Sequence, residues 1–294
     1  MPAVRANGIH IEYDTLGKPA DPALVLIMGL STQMVAWPDR FCQMLADAGH
    51  FVVRFDNRDV GLSEKMETLG VPNLEQIAQT GCKGMQAPYT LADMAADAVG
   101  LMDALGLAAA HICGLSMGGM IAQIMAIEMP TRVSSLISLE STTGEPDLPT
   151  STPEAIAAMM SKPPIQRQAY VDYQVEVYRA FSGGSPFYDE ALQRELSARG
   201  HDRMFYPNGF ARQMAAILCA PARRRALSAV AAPTLVIHGD CDTVVPPDHG
   251  RDTAAAVPGA TLRILRGLGH GMAYPSLWKE MVTAISGHTK AARN

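Results

Sequence analysis

Three short blocks of this chain hold residue types that can perform nucleophilic chemistry together. The first is Gly114-Leu115-Ser116-Met117-Gly118-Gly119, a serine set between glycines. A serine hydroxyl attacks a carbonyl carbon poorly unless a base takes its proton during the attack. Gly269-His270-Gly271 offers an imidazole for that purpose, and Gly239-Asp240-Cys241-Asp242 offers a carboxylate to orient the ring. Read as acyl transfer, Ser116 attacks and His270 takes the proton. Asp242 holds the tautomer, and water finally frees the acyl group. No metal or cofactor is required by this chemistry.

The residues around Ser116 fit a strand-to-helix turn. Ala109 to Cys113 is a short apolar run, and an alanine-rich helical stretch begins directly after the serine. On such a turn the serine backbone is strained and its hydroxyl stands clear of the sheet. A Cβ at position 114 or 118 would strike a neighbouring strand or helix, and Gly119 lets the helix lie close to the sheet. The helix start offers free N–H groups and a positive dipole end beside the serine, so the Met117 N–H can hold a developing oxyanion.

Other histidines and acids compete for the two partner roles. His111 opens the central strand at the edge away from Ser116, and His238 reads as a packing residue at a strand end. His249 belongs to the helix after the acid loop, and His288 lies near the chain end. His270 remains as the base. Asp242 is favoured as the acid, with Asp240 as a turn-shaping residue and Glu140 as an acid on a different strand that could also reach the imidazole.

The elements that must position these groups follow a strand–helix rhythm. An opening hairpin turns at Asn7-Gly8. Leu24 to Met28, Phe51 to Asp56, Val133 to Glu140 and Thr234 to His238 are apolar runs suited to strands buried on both faces. Thr261 to Leu265 is the last strand. Helices are expected over Trp37 to Ala48, Leu91 to Leu105 behind a Thr90 cap, and about Ser276 to Ser286. Glu64 to Pro88 reads as loop with one helical turn, and Lys290 to Asn294 as a frayed tail. The pattern implies an α/β fold, a mostly parallel sheet flanked by helices. Residues at the carboxyl ends of parallel strands meet on one edge, so Ser116, Asp242 and His270 can converge. From Ser141 to about Ala222 no strand-like run occurs, and the stretch reads as a helical insertion over that edge. The expected division is a core of 1–143 and 225–294 with a helical cap of 144–224.

Composition narrows the partners. With 294 residues, 48% hydrophobic and 18% charged, the chain can bury a large core. A net charge of -5 without a basic stripe speaks against nucleic acid or an anionic membrane surface. No run reaches spanning length, and the start lacks the pattern of a secretory leader. A cytoplasmic protein, monomer or homodimer, acting on a small-molecule ester is expected. The five cysteines are scattered and odd in number, which suggests reduced thiols, with Cys113 and Cys241 as small buried hydrophobes. Arg223-Arg224-Arg225 reads as a solvated helix face. Methionine is abundant, at 18 residues. Met28, Met117, Met120 and Met272 border the motifs, and Met159, Met160, Met204 and Met214 lie in the insertion. Together they suit a pocket for apolar or aromatic groups.

The three blocks, with His238-Gly239-Asp240-Cys241-Asp242-Thr243-Val244-Val245-Pro246 and Gly267-Leu268-Gly269-His270-Gly271-Met272 taken at full length, resemble the signatures of the α/β-hydrolase superfamily. That resemblance implies an α/β-hydrolase fold with a cap insertion, and a Ser-His-Asp carboxylesterase with no cofactor. It also implies a second oxyanion donor, the Leu30 N–H. Because they border the motifs, Met28, Gly29, Met120 and Met272 are expected near the substrate. Two departures stand out. Met28-Gly29 replaces the usual His-Gly, so that histidine's hold on the loop is lost. Asp59 replaces the first glycine of the Asp56-Asn57-Arg58-Asp59-Val60-Gly61-Leu62-Ser63 block. Both departures are similar to the branch of anthracycline methylesterases, such as aclacinomycin methylesterase, and small carboxylesterases. The same fold also serves carbon–carbon bond hydrolases, cofactor-free perhydrolases and ligand-perceiving receptors. A dehalogenase is disfavoured because its nucleophile is a carboxylate where this chain has Ser116.

Overall fold

Apolar side chains alternate between the two faces of the central strands, and this period of two organises the core. In the computed structural model, which describes residues 2–80, 82 and 87–292, eight strands form a single sheet. In chain order the elements are β1 (Ala3–Ala6), β2 (Ile9–Leu16), β3 (Ala23–Ile27), α1 (Asp39–Asp47), β4 (Phe51–Phe55), α2 (Leu74–Thr80) and α3 (Leu91–Ala104). There follow β5 (Ala110–Leu115), α4 (Met117–Glu128), β6 (Val133–Leu139), then α5 (Pro153–Met160), α6 (Arg167–Phe181), α7 (Glu190–Arg203), α8 (Gly209–Leu218) and α9 (Arg224–Leu227). The chain closes with β7 (Thr234–Gly239), α10 (Pro247–Ala256), β8 (Thr261–Leu265) and α11 (Trp278–Ala291).

The strand order is β1-β2-β4-β3-β5-β6-β7-β8. The first two pairings are antiparallel and the rest parallel. Val25 and Ile27 pack with Leu91, Met94 and Ile121 on one face. Leu24 and Leu26 pack with Phe41, Leu45, Met281 and Ile285 on the other. Each such side chain removed from water contributes roughly 1.5–3 kcal/mol, which is why β3 tolerates no polar residue. At the opening hairpin Asn7 and Gly8 both have positive φ, 47° and 81°, as a type I′ turn demands. Thr90 caps α3 in a full capping box with Asp93.

Several expectations need correction. Glu64 to Pro88 contains a 3-10 turn (Glu67–Leu69) as well as α2, while positions 81 and 83–86 lie outside the described residues. The final helix starts later and runs further than expected, through Ala291. Of the expected frayed tail, positions 293–294 lie outside the described residues. Cys82 and Cys219 are not free thiols but a disulfide, because α2 packs on α8 and brings their Cα atoms to 5.4 Å. Cys113 is buried as expected, whereas Cys241 is only half-buried. Arg223 does not face solvent. Its guanidinium turns inward to donate to Gln123 Oε1 and to the carbonyls of Pro221 and Thr142. Burial there, opposed by the charge of Glu145, pulls its pKa down to about 10.

Candidate active site

The strand–turn–helix at Ser116 has the strain expected of it. Ser116 sits at φ 56°, ψ -120°, its N–H bonded to the Leu139 carbonyl at 2.9 Å. A Cβ on Gly114 would lie 2.0 Å from the Gly118 carbonyl oxygen, and one on Gly118 would lie 2.1 Å from that of Ile27. Both glycines are therefore fixed by close backbone approach, one to the helix and one to the strand. The Ser141 hydroxyl donates to the Ser116 carbonyl at 2.7 Å and steadies the turn from β6.

Neighbouring strand ends bring the Asp242 carboxyl and the His270 imidazole together. After β7, Asp242 Oδ1 accepts the N–H groups of Val244 and Val245 at 2.9 and 2.8 Å. Its Oδ2 lies 2.8 Å from His270 Nδ1. Burial opposes ionisation of Asp242, but the His270 charge and hydrogen bonds from His238 and His270 hold its pKa down at about 2. His270 follows β8, is buried, and packs edge-on to Phe181 with ring centroids 6.2 Å apart. Burial alone would lower its pKa; the charge and hydrogen bond of Asp242, with Glu140 adding, raise it above the ordinary 6.5. Ser116 and His270 line one cavity.

Glu140, at the end of β6, is a second buried carboxyl in the same place. Its Oε2 accepts the Gly271 N–H at 2.6 Å and lies 3.7 Å from His270 Nδ1. Burial, with His270 opposing and Asp242 adding, pushes its pKa up to about 8. The ligating atoms of Glu140, Asp242 and His270 fall within 4.8 Å of one another. A cation there would have to displace the bond between Nδ1 and Oδ2. Asp240 shapes the turn, its Oδ1 accepting the Gly267 N–H at 2.6 Å. His111 bonds Ser135, His238 the Val245 carbonyl, His249 Thr142 and the Pro149 carbonyl, and His288 the Pro233 carbonyl.

The N–H groups of Leu30 and Met117 have no acceptor among the described residues. Gly29 permits the Leu30 loop to approach: a Cβ there would lie 3.2 Å from Ser116 Cβ. A cavity of about 1040 Å³ opens over this edge, at the upper end of the ~300–1000 Å³ usual for small-molecule sites. Met28, Gly29, Met120 and Met272 line it from the sheet side; Met159, Met160, Met204 and Met214 line it from the helices between β6 and β7. Met117 does not reach it with its side chain, which is buried in the core.

Comparison with known proteins places this architecture. Residues 22–274 match the family model described as the alpha/beta hydrolase fold. The chain belongs to the α/β hydrolase fold family. Among curated relatives of this hydrolase-fold chain, a rhodomycin D methylesterase of Streptomyces peucetius is 33% identical over 94% of each chain. A 2-hydroxy-6-oxononadienedioate/2-hydroxy-6-oxononatrienedioate hydrolase of Burkholderia vietnamiensis is 27% identical over 89% of this chain and 85% of its own. In fold, the hydrolase is similar to a meta-cleavage product hydrolase from Pseudomonas fluorescens, with TM-score 0.76, 20% identity and coverage of 99% and 98%. A thermophilic esterase from Thermogutta terrifontis gives TM-score 0.72 at 19% identity, covering 100% of both chains.

The structure resolves both departures from the family pattern. Where the loop histidine is missing, the hydrolase uses Asn57, whose Nδ2 donates to the Met28 carbonyl at 3.0 Å. From the other side Gln213 of α8 accepts the Ser31 N–H and donates to the Arg58 carbonyl, both at 2.7 Å. Asp59, at φ 67° where a glycine is usual, binds Arg212 of α8 through both oxygens at 2.8 and 2.7 Å. Asp56 likewise binds Arg203 of α7 at 2.6 Å. The helices over the strand ends are thus pinned to the sheet by buried ion pairs. Sequence reading missed Asn57, Gln213, Arg203 and Arg212. The one available signal was the odd Asp59, a second acid in a block where the family pattern has glycine.

Proposed function

We propose that this hydrolase-fold chain is a serine carboxylesterase acting on apolar or aromatic carboxylic esters, methyl esters among them. The observation that carries the reading is the strained Ser116 facing the same cavity as an Asp242-oriented His270. The methylesterase relatives support it at the level of reaction class.

In this reading Ser116 Oγ attacks the ester carbonyl and His270 Nε2 accepts the hydroxyl proton. The Leu30 and Met117 N–H groups take the tetrahedral oxyanion, whose charge they stabilise without reorganising. His270 returns the proton to the leaving alcohol, then activates water to release the acid. The methionine- and aromatic-lined walls, Tyr170, Phe205 and Phe210 among them, favour a bulky apolar acyl part and leave a small alcohol at the catalytic end.

A carbon–carbon hydrolase is the second reading, since such a relative matches most of the chain. A dioate substrate carries two carboxylates and calls for cationic partners. Among the described residues, Lys162 is the lone lysine or arginine lining the cavity, and it is exposed. A panel of nitrophenyl, methyl and dienoate substrates, run with wild type and Ser116→Ala, tests both. The expected outcome is ester turnover that falls, in the variant, to at most ~10³–10⁴ over water. Wild-type turnover by Ser116→Ala would reject the reading.

A further inference from the structure

We propose that Glu140 is a positioning residue for His270, holding the His270–Gly271 turn and able to take over the ring Nδ1–H when Asp242 is absent. The proposal rests on the esterase reading above, in which His270 is the base. Two carboxyls reach one imidazole from adjacent strand ends. Asp242 Oδ2 is bonded to Nδ1 at 2.8 Å, and Glu140 Oε2 stands 3.7 Å from the same atom. A small movement of the glutamate would close that gap.

A purely structural explanation leaves much unaccounted for. Accepting one N–H from Gly271 needs a carbonyl or hydroxyl oxygen, which a neutral side chain supplies more cheaply. Instead the position holds an ionisable group, fully buried, on a backbone at φ 47°. Its Oε1 is buried with no hydrogen-bond partner among the described residues, as is the Tyr274 hydroxyl. Such costs concentrate at functional sites.

The facing groups explain why Glu140 is silent while Asp242 is present. Around it stand His270, Asp242, Tyr274 and Tyr178, with His238 behind Asp242 at 3.5 Å. Two buried carboxylates this close cannot both ionise cheaply. Burial and the charge of Asp242 keep Glu140 protonated near neutrality. Removing the Asp242 charge removes part of that penalty, and Glu140 can then ionise beside the ring. Its carboxylate becomes the acceptor for Nδ1–H and the counter-charge for the imidazolium.

The test is a double-mutant cycle on a nitrophenyl ester with wild type, Glu140→Gln, Asp242→Ala and the double variant, from pH 5 to 9, with Ser116→Ala as blank. In the Asp242 background, Glu140→Gln is expected to cost about two- to fivefold; in Asp242→Ala it should cost roughly tenfold or more beyond that. The residual rate of Asp242→Ala should rise with pH as Glu140 ionises, and this rise should vanish in the double variant. Equal fold-losses in both backgrounds would show a merely structural glutamate and overturn the proposal. If Glu140→Gln folds poorly, the low-field proton resonance of His270 Nδ1–H in Asp242→Ala decides alone. Its presence at high pH supports the proposal and its absence overturns it. Should Ser116→Ala retain full turnover, the esterase reading fails, while the resonance still tests Glu140.

Discussion

Asp242 Oδ2 and His270 Nδ1 lie 2.8 Å apart, the shorter of two carboxyl approaches to that ring. In the proposed esterase this bond keeps the proton on Nδ1 and leaves Nε2 as the acceptor for the Ser116 hydroxyl. Asn at position 242 would keep the shape but present an amide, favouring the wrong tautomer. Asp242→Asn is therefore expected to lower kcat well over tenfold, but by less than the ~10⁴ of a triad with a single carboxylate, because Glu140 stands 3.7 Å from the same nitrogen, while KM changes little. Steady-state kinetics on one ester checks this; a loss of less than tenfold would contradict the role given to Asp242.

The pH dependence follows from the same pair. With His270 as the proposed base, turnover needs the neutral ring, whose pKa is raised above 6.5 because the charge and bond of Asp242 outweigh burial. The acidic limb of kcat/KM should therefore have its inflection above 6.5, with roughly tenfold loss per pH unit below it. For stability the signs differ. The raised histidine contributes fully below its unfolded pKa near 6.5, and this contribution is lost as pH rises through the folded value. Asp242, held down at about 2, contributes above its unfolded 3.8, and that share is lost as pH falls towards 2. A kcat/KM profile from pH 4 to 9 checks the first statement, and thermal unfolding over pH 2 to 9 the second.

What sequence could reveal depended on how local the cause was. The strain at Ser116 and the close approaches of Gly114 and Gly118 follow from a few contiguous residues, so the turn was readable. The alternation of Leu24, Val25, Leu26 and Ile27 between two cores follows from period two alone. By contrast, the Cys82–Cys219 disulfide depends on α2 meeting α8 across 137 positions, which no spacing rule encodes. Arg223 looked solvated because its neighbours are arginines; three oxygens, from Gln123, Pro221 and Thr142, turn it inward. Glu140 was visible as an acid near the ring, but not its bond to Gly271.

Asn57 offers a sharper test of the loop that carries Leu30. Its Nδ2 is bonded to the Met28 carbonyl, two residues before Leu30, the proposed oxyanion donor. Asn57→Ala would leave that buried carbonyl without this partner, and the Leu30 N–H would drift from the position the oxyanion occupies. Since the donor is displaced and not deleted, the loss in kcat should be about tenfold, below the ~10²–10³ for removing an oxyanion donor outright. KM should move much less. A fall in KM-linked binding with unchanged kcat would show that the loop serves substrate and not the oxyanion.

Arg212 and Asp59 form a buried, bidentate pair between α8 and the loop after β4, with Tyr89 also donating to Asp59 at 2.8 Å. Arg212→Met would leave the carboxylate buried without its cation, at a cost of about 3–5 kcal/mol in unfolding free energy. Asp59→Gly alone would remove the guanidinium's counter-charge, leaving it only the Gly70 carbonyl and the Tyr206 hydroxyl, although glycine suits the φ of 67°. Removing both together should recover much of the loss, because the desolvation cost of two charges disappears with them. Urea unfolding of the two single variants and the double checks this. Recovery is expected in the midpoint, while kcat in the double variant should remain depressed, because α8 also carries Gln213, whose carbonyl holds the Ser31 N–H beside the oxyanion loop. A double variant as unstable as the singles added together would mean that the pair contributes through packing and not through charge.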